Sequence, residues 1–178
     1  GSRRGNASDR AAPHNAYPCR GEDRWCAIAI YTDQEWEDLC RAMGDPAWCR
    51  DARFSTLAGR KANEGELDSL MAAWTSGHEV EELMLCLQKS GLPAGVVQSN
   101  KDTMENDPQL RHRGYYQLLC HPELGDCSHP SWPVHLSRTP MRLRYAPLMG
   151  EHTEHVCSKL LGMSDEEFAG LLADGVLE

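Results

Sequence analysis

The chain has 178 residues, with 18 basic against 27 acidic side chains and a net charge of −9. That length buries a real core, with roughly 70% of the unfolded surface removed from water. The charge argues against nucleic acid or an anionic membrane as the main partner, and it suits a polyanionic ligand only where the basic contacts lie on another segment.

Residues 3–16 are polar and irregular; Gly1-Ser2 before them reads as a cloning remnant. Tyr17 to Arg20, the turn Gly21-Glu22-Asp23 and Arg24 to Tyr31 predict a β-hairpin. Its second arm is nearly continuous in apolar residues and is expected to be buried on both faces. Three amphipathic helices follow. Thr32 and Glu35 form a capping-box pattern, Trp36, Leu39, Cys40 and Met43 share one helical face, and Gly44 ends the first helix. Asn63 with Glu66 is expected to cap the second, which buries Leu67, Leu70, Met71 and Trp74. Ser76 with Glu79 repeats the pattern before Val80, Leu83, Met84 and Leu87, and Gly91 closes the third helix.

Beyond the turn at Gly91-Leu92-Pro93-Ala94-Gly95, Ser99 and Asp102 predict a short helix and Asp107-Pro108 another. A strand is expected over Tyr115 to Cys120 and a weaker one near Cys127. Pro133, Pro140 and Pro147 make the following stretch an extended connector. A helical pair closes the chain, the first over roughly residues 152–161 and the second capped by Ser164 and Glu167, burying Phe168, Leu171 and Leu172. The predicted class is therefore α+β: a small mixed domain over residues 3–135 with a few short strands and several amphipathic helices, then a connector and helical tail over 136–178.

Candidate chemistry is sparse. The carboxylates of Glu35, Glu37, Asp38, Glu64, Glu66, Asp68, Glu79, Glu81 and Glu82 fall mostly in first helical turns and on outward faces, where they favour the helix dipole. Cys120, His121, Cys127 and His129 are zinc-type ligands, but the seven-residue step between the cysteines lacks the Cys-x-x-Cys spacing and neighbours on a strand point apart. There is no nucleophile elbow and no phosphate-cradling glycine loop. Gly150-Glu151-His152-Thr153 opens a helix, where Glu151 is a dipole and capping group or a ligand contact. Eight cysteines are present, with Cys40 and Cys86 expected on apolar helix faces. Nothing indicates export and no apolar run approaches the roughly 20 residues of a membrane span, so the thiols read as reduced, the compartment as cytoplasmic, and the sequon at Asn6-Ala7-Ser8 as idle.

Several motifs in order resemble one family. These are Arg4-Gly5-Asn6, Tyr17-Pro18-Cys19, Trp36 with Leu39 and Cys40, Asp51-Ala52-Arg53-Phe54, Arg60 with Asn63, Glu66 and Leu67, and Gly91 through Val97. Asp107-Pro108-Gln109, Pro133 through Pro140 and Ala146 through Thr153 continue the series. Together they resemble the small domain and C-terminal part of class III CoA-transferases, a family that includes formyl-CoA transferases, carnitine CoA-transferases and α-methylacyl-CoA racemases. The resemblance implies an interlocked homodimer acting on an acyl-CoA and a carboxylic acid, with coenzyme A thioester as substrate. It also implies a large domain whose aspartate attacks the thioester, passing through an anhydride and an aspartyl-CoA. That nucleophile segment is not in this sequence, so no catalytic residue is assigned and the chain alone is expected to be inactive. Gly5, Asn6, His14, Glu151 and His152 are the candidate substrate contacts. Ala7 through His14 stand where formyl-CoA transferases carry a glycine-rich loop, so a glycine lid is not implied. The alternatives are a racemase fragment, a stand-alone binding module or a zinc-stabilised module.

Overall fold

A computed structural model describes residue 3 and residues 5–177. Gly1, Ser2 and Arg4, used above, lie outside the described residues. The fold is mixed α+β in two compact units, one ending at Ser99 and the other starting at Asn100.

The first unit is built on an antiparallel sheet ordered β1 (His14–Pro18), β2 (Trp25–Ala29), β3 (Ala94–Val96). The expected hairpin forms, but β1 starts at His14, ahead of the apolar run. Tyr17 pairs with Cys26 and Asn15 with Ile28. β2 is not buried on both faces: Cys26 and Ile28 are buried while Trp25 and Ala27 are exposed. Alanine in an apolar run does not report burial, and here it lies on an open face.

Helix α1 (Asp33–Ala42) starts with the Thr32–Glu35 capping box and buries Trp36, Leu39 and Cys40. It closes in a Schellman turn, with Gly44 N–H on the Arg41 carbonyl (3.0 Å), Asp45 N–H on the Cys40 carbonyl (2.8 Å), and Gly44 at φ +81°. Two 3₁₀ turns (Ala47–Arg50 and Ala52–Phe54) lead to α2 (Leu57–Ala62), a helix the sequence reading did not separate from the next. Of the inner faces predicted for α3 (Glu64–Thr75) and α4 (Val80–Lys89), Leu67, Met71, Val80, Leu83 and Leu87 are buried and Leu70, Trp74 and Met84 half-buried, but the caps are not as predicted. Asn63 Nδ2 donates backwards to the Gly59 carbonyl (2.9 Å), and Ser76 Oγ donates to the Ala73 carbonyl (2.9 Å). Both side chains therefore serve the C-terminus of the preceding helix. The end of α4 is a second Schellman turn, with Gly91 at φ +77° and Leu92 N–H on the Leu87 carbonyl (3.0 Å). Cys86 is exposed, contrary to expectation.

α3 packs on β1, and α4 on β2 and β3. Tyr17, Cys26, Ile28, Trp36, Leu39, Phe54, Leu67, Met71, Leu83 and Leu87 form one core between sheet and helices. Arg60, on α2, is wholly buried inside this unit.

The second unit holds a π-helical turn (Asp102–Asn106), α5 (Pro108–His112) with Asp107 accepting from Leu110 N–H, and the hairpin β4 (Tyr116–His121)–β5 (Gly125–Pro130). An irregular stretch follows, then a π-helical turn (His155–Leu160) and α6 (Asp165–Ala173), with the predicted Ser164–Glu167 capping box. α6 does not bury Phe168, Leu171 and Leu172, because nothing in the unit packs over them closely enough; Leu172 is 43% exposed. Among the described residues of this unit only Cys157 is a buried hydrophobe, while Leu118, Met149 and Leu161 are 67%, 88% and 70% exposed.

Candidate functional site

The sheet of the first unit has a helix-covered face and a bare one. Side chains alternate along a strand, so the sequence neighbours of the buried Tyr17 and Cys26 point away from the helices. Ala16 pairs with Ala27, and Ala27 with Gly95, a row of short side chains across all three strands. His14, opposite Ala29, extends the face at one end. These residues, with Asn6 and Pro93, line a concavity of about 690 Å³. Gly95 is not required by packing: a Cβ placed there meets nothing within 4 Å. A strand glycine costs roughly 0.5–1 kcal/mol relative to alanine, so what it provides here is room.

The polar rim is tied down in sequence. His14 Nδ1 lies 2.6 Å from the Asn6 carbonyl oxygen. A carbonyl only accepts, so Nδ1 carries the hydrogen, and in the neutral ring Nε2 is the acceptor. Asn6 Nδ2 donates to Asn15 Oδ1 (2.9 Å), Asn15 Nδ2 donates to Asp68 Oδ2 (3.3 Å), and the Tyr17 hydroxyl donates to Asp68 Oδ1 (2.5 Å). The loop before β1 is thereby fixed to α3 through two strand residues. Burial, then the Asp68 carboxylate, pushes the Tyr17 phenol well above its ordinary range.

Arg60 supports the same loop from beneath. Its Nε donates to the Ala12 carbonyl (2.7 Å), Nη1 to the Phe54 carbonyl (3.0 Å) and Nη2 to Asp33 Oδ1 (3.0 Å), while the guanidinium stacks over the Trp36 ring at 5.3 Å. A guanidinium presents donors in several directions at once, which suits a point where three chain segments meet.

The structure brings Asn6 and His14 together, with Gly5 beside Asn6 at φ +59°. Glu151 and His152 belong to the second unit, where they line a concavity of about 340 Å³ with Leu148 and Thr153. Glu151 closes a turn in place of capping a helix: its carboxylate accepts from Leu148 N–H (2.7 Å) and the Tyr145 hydroxyl (2.9 Å). These two donors, the backbone one first, hold its carboxyl below the usual range. Sequence reasoning missed Asn15, Asp68 and Arg60 at the first site. The one signal available was a polar Asn15 inside an otherwise strand-like run.

The concavity offers a small-residue apolar floor and an imidazole–amide rim. Its lining holds no carboxylate, thiol or hydroxyl. It can seat an apolar group and orient a polar one, and the His14 imidazole is the one group in its lining with a basic nitrogen. No group of three or more His, Cys, Asp or Glu side chains among the described residues is placed to hold a metal ion. No described helix is long and apolar enough to cross a membrane.

Residues 1–153 match the family described as CoA-transferase family III. The succinyl-CoA–D-citramalate CoA-transferase of Chloroflexus aurantiacus is 32% identical over 176 residues, 98% of this chain and 43% of that protein. The formyl-CoA:oxalate CoA-transferase of Bradyrhizobium diazoefficiens is 30% identical over 178 residues, 98% of this chain and 42% of that protein. The crystal structure of a CAIB/BAIF family protein from Brucella suis superposes with a TM-score of 0.78 at 25% identity, covering 90% of this chain and 40% of that one. The chain spans less than half the length of the curated relatives it matches.

Proposed function

The chain belongs to CoA-transferase family III, and on that premise we propose that it supplies the small-domain and tail portion of an enzyme that moves CoA between an acyl-CoA and a carboxylic acid. The observation that carries this reading is the bare Ala16–Ala27–Gly95 face with His14 and Asn6 at its rim. It is shaped to cover an apolar group and holds no carboxylate of its own.

Covalent transfer through a carboxylate needs a nucleophile that attacks the thioester carbonyl and later releases CoA to a second acid. In this reading an aspartate of a large domain performs that attack. The small-residue face closes over the acyl group, His14 and Asn6 orient its polar end, and water is kept from the anhydride. Gly5 gives the loop its left-handed turn beside Asn6.

Residues 3–135 then act as the small domain and residues 136–178 as the tail that returns to the large domain. Exposed Trp132, Met149, Leu160 and Leu161 support this, because large apolar side chains left in water gain free energy when they are covered. Glu151 and His152 sit at the start of that tail as contacts for the large-domain site. The same logic favours a homodimer. Eight free cysteines fit a reducing, cytoplasmic setting.

The test is thioester exchange. The 178-residue chain with acyl-CoA and free acid is expected to show none, and adding the aspartate-bearing large domain of a relative is expected to restore it. Turnover by the chain alone would refute the proposal.

A further inference from the structure

Two of the buried cysteines share one surface concavity that the proposed transfer chemistry does not use. Cys40 lies in the last turn of α1 and Cys49 in the 3₁₀ turn over Ala47–Arg50. The Schellman turn at Gly44 and the bond from Cys49 N–H to the Pro46 carbonyl (2.9 Å) fold the chain back, so the 3₁₀ turn lies against α1. Both cysteines line one surface concavity of about 290 Å³, beside Trp36, Asp45 and Ser55. Each retains a sliver of exposure, 7% and 8%, and each thiol's titration is shifted first by the other.

We propose that Cys40 and Cys49 are a modification site at which a small peroxide forms an intramolecular disulfide. Cys40 is the attacking sulfur. The neighbouring Cys49 thiol, and more weakly the Arg60 guanidinium, favour its thiolate against burial and Asp45. Cys49 keeps its proton, because the neighbouring Cys40 and burial both push its thiol up. The thiolate attacks one peroxide oxygen; the S–O bond forms, the O–O bond breaks, and the departing hydroxide takes a proton and leaves as water. Sulfur is oxidised to the sulfenic acid and peroxide is reduced. Cys49 sulfur then attacks Cys40 sulfur. The S–S bond forms, the S–O bond breaks, and the hydroxyl leaves with the Cys49 proton as a second water.

The other thiols separate from this pair on the same criteria. Cys19 and Cys26 donate to the carbonyls of Tyr17 and Ala27 (3.8 Å each), and burial pushes both up, Cys26 to about 11. Cys86 and Cys120 are exposed, which opens them to oxidants of any size. The narrow concavity at Cys40 instead favours a small oxidant over a bulky disulfide.

Peptide mapping tests this on the reduced, folded 178-residue chain after equimolar hydrogen peroxide and alkylation in denaturant. Trypsin cleaves after Arg41, so the two cysteines fall on separate peptides. The expected product is those peptides joined, lighter by two hydrogens and separated by dithiothreitol, with Cys19 and Cys26 recovered alkylated. In Cys49→Ser, dimedone should capture Cys40 at least tenfold more than Cys19 or Cys26. Recovery of Cys40 and Cys49 as free thiols after Cys86 and Cys120 have oxidised would overturn the proposal. The wild-type map decides this by itself should the variant not fold.

Discussion

The buried guanidinium of Arg60 donates from Nε to the carbonyl of Ala12 at 2.7 Å, joining α2 to the segment that leads into His14 and β1. The same side chain satisfies the Phe54 carbonyl and pairs with Asp33. Its removal orphans two carbonyls and leaves a cavity against Trp36. A buried acceptor left without its partner costs about 1–3 kcal/mol. Arg60→Met is therefore expected to lower stability by about 3 kcal/mol in urea unfolding. Arg60→Lys should recover little of this, since an ammonium cannot reach all three segments.

Tyr17 and Asp68 couple stability to alkaline pH. The folded Tyr17 phenol titrates far above its unfolded value of about 10. The neutral form is the one the fold favours, so its contribution is complete below about pH 10 and is lost as pH rises toward the folded value. Stability should fall by up to about 1.4 kcal/mol per pH unit above pH 10 from this group. Ultraviolet titration of Tyr17 should coincide with alkaline unfolding, and Tyr17→Phe should flatten the slope. Free ionisation of Tyr17 in the folded chain near pH 10 would contradict the geometry.

The two units should differ in cooperativity. The first encloses a continuous core, whereas the described residues of the second bury only Cys157 among their hydrophobes. Amide exchange measures local opening free energy directly. Amides of β1, β2, α1 and α3 should exchange slowly, and those of β4, β5 and α6 at least tenfold faster in the isolated chain. Equal protection in both units would contradict the contrast in burial between them.

Glu151 gives an acid-side signal in the second unit. Leu148 N–H and the Tyr145 hydroxyl depress its carboxyl. The turn it closes is therefore complete above the unfolded value of about 4.3 and opens as pH falls through the folded one. The Leu148 amide resonance should titrate with a midpoint below about 4.3. Glu151→Gln should abolish that titration.

Much of the first unit was legible because its signals are local. Thr32 with Glu35, Gly44 and Gly91 each act within one turn of chain, and the structure uses them as read. Asn63 and Ser76 were misread because a capping side chain can bond backwards as readily as forwards. The open face of β2 was hidden because alanine fits either side of a sheet. Asn6 and His14 were found through motif order, while Asn15, Tyr17 and Asp68 meet across 51–53 residues of sequence that no local pattern spans. Arg60 was quoted as part of a motif, yet an arginine on a short helix gives no sign that it is wholly buried.

Gly95 offers the most direct measurement of whether the bare sheet face seats the acyl group. A side chain added there meets no protein atom within 4 Å, so Gly95→Val should leave the fold at least as stable as the parent, the lost strand glycine being worth roughly 0.5–1 kcal/mol. The measurement is the rate of thioester exchange by the chain joined with the aspartate-bearing large domain of a relative, parent against Gly95→Val. The account predicts a loss of at least tenfold with unchanged unfolding behaviour. An exchange rate equal to the parent's, in a variant that folds normally, would contradict it.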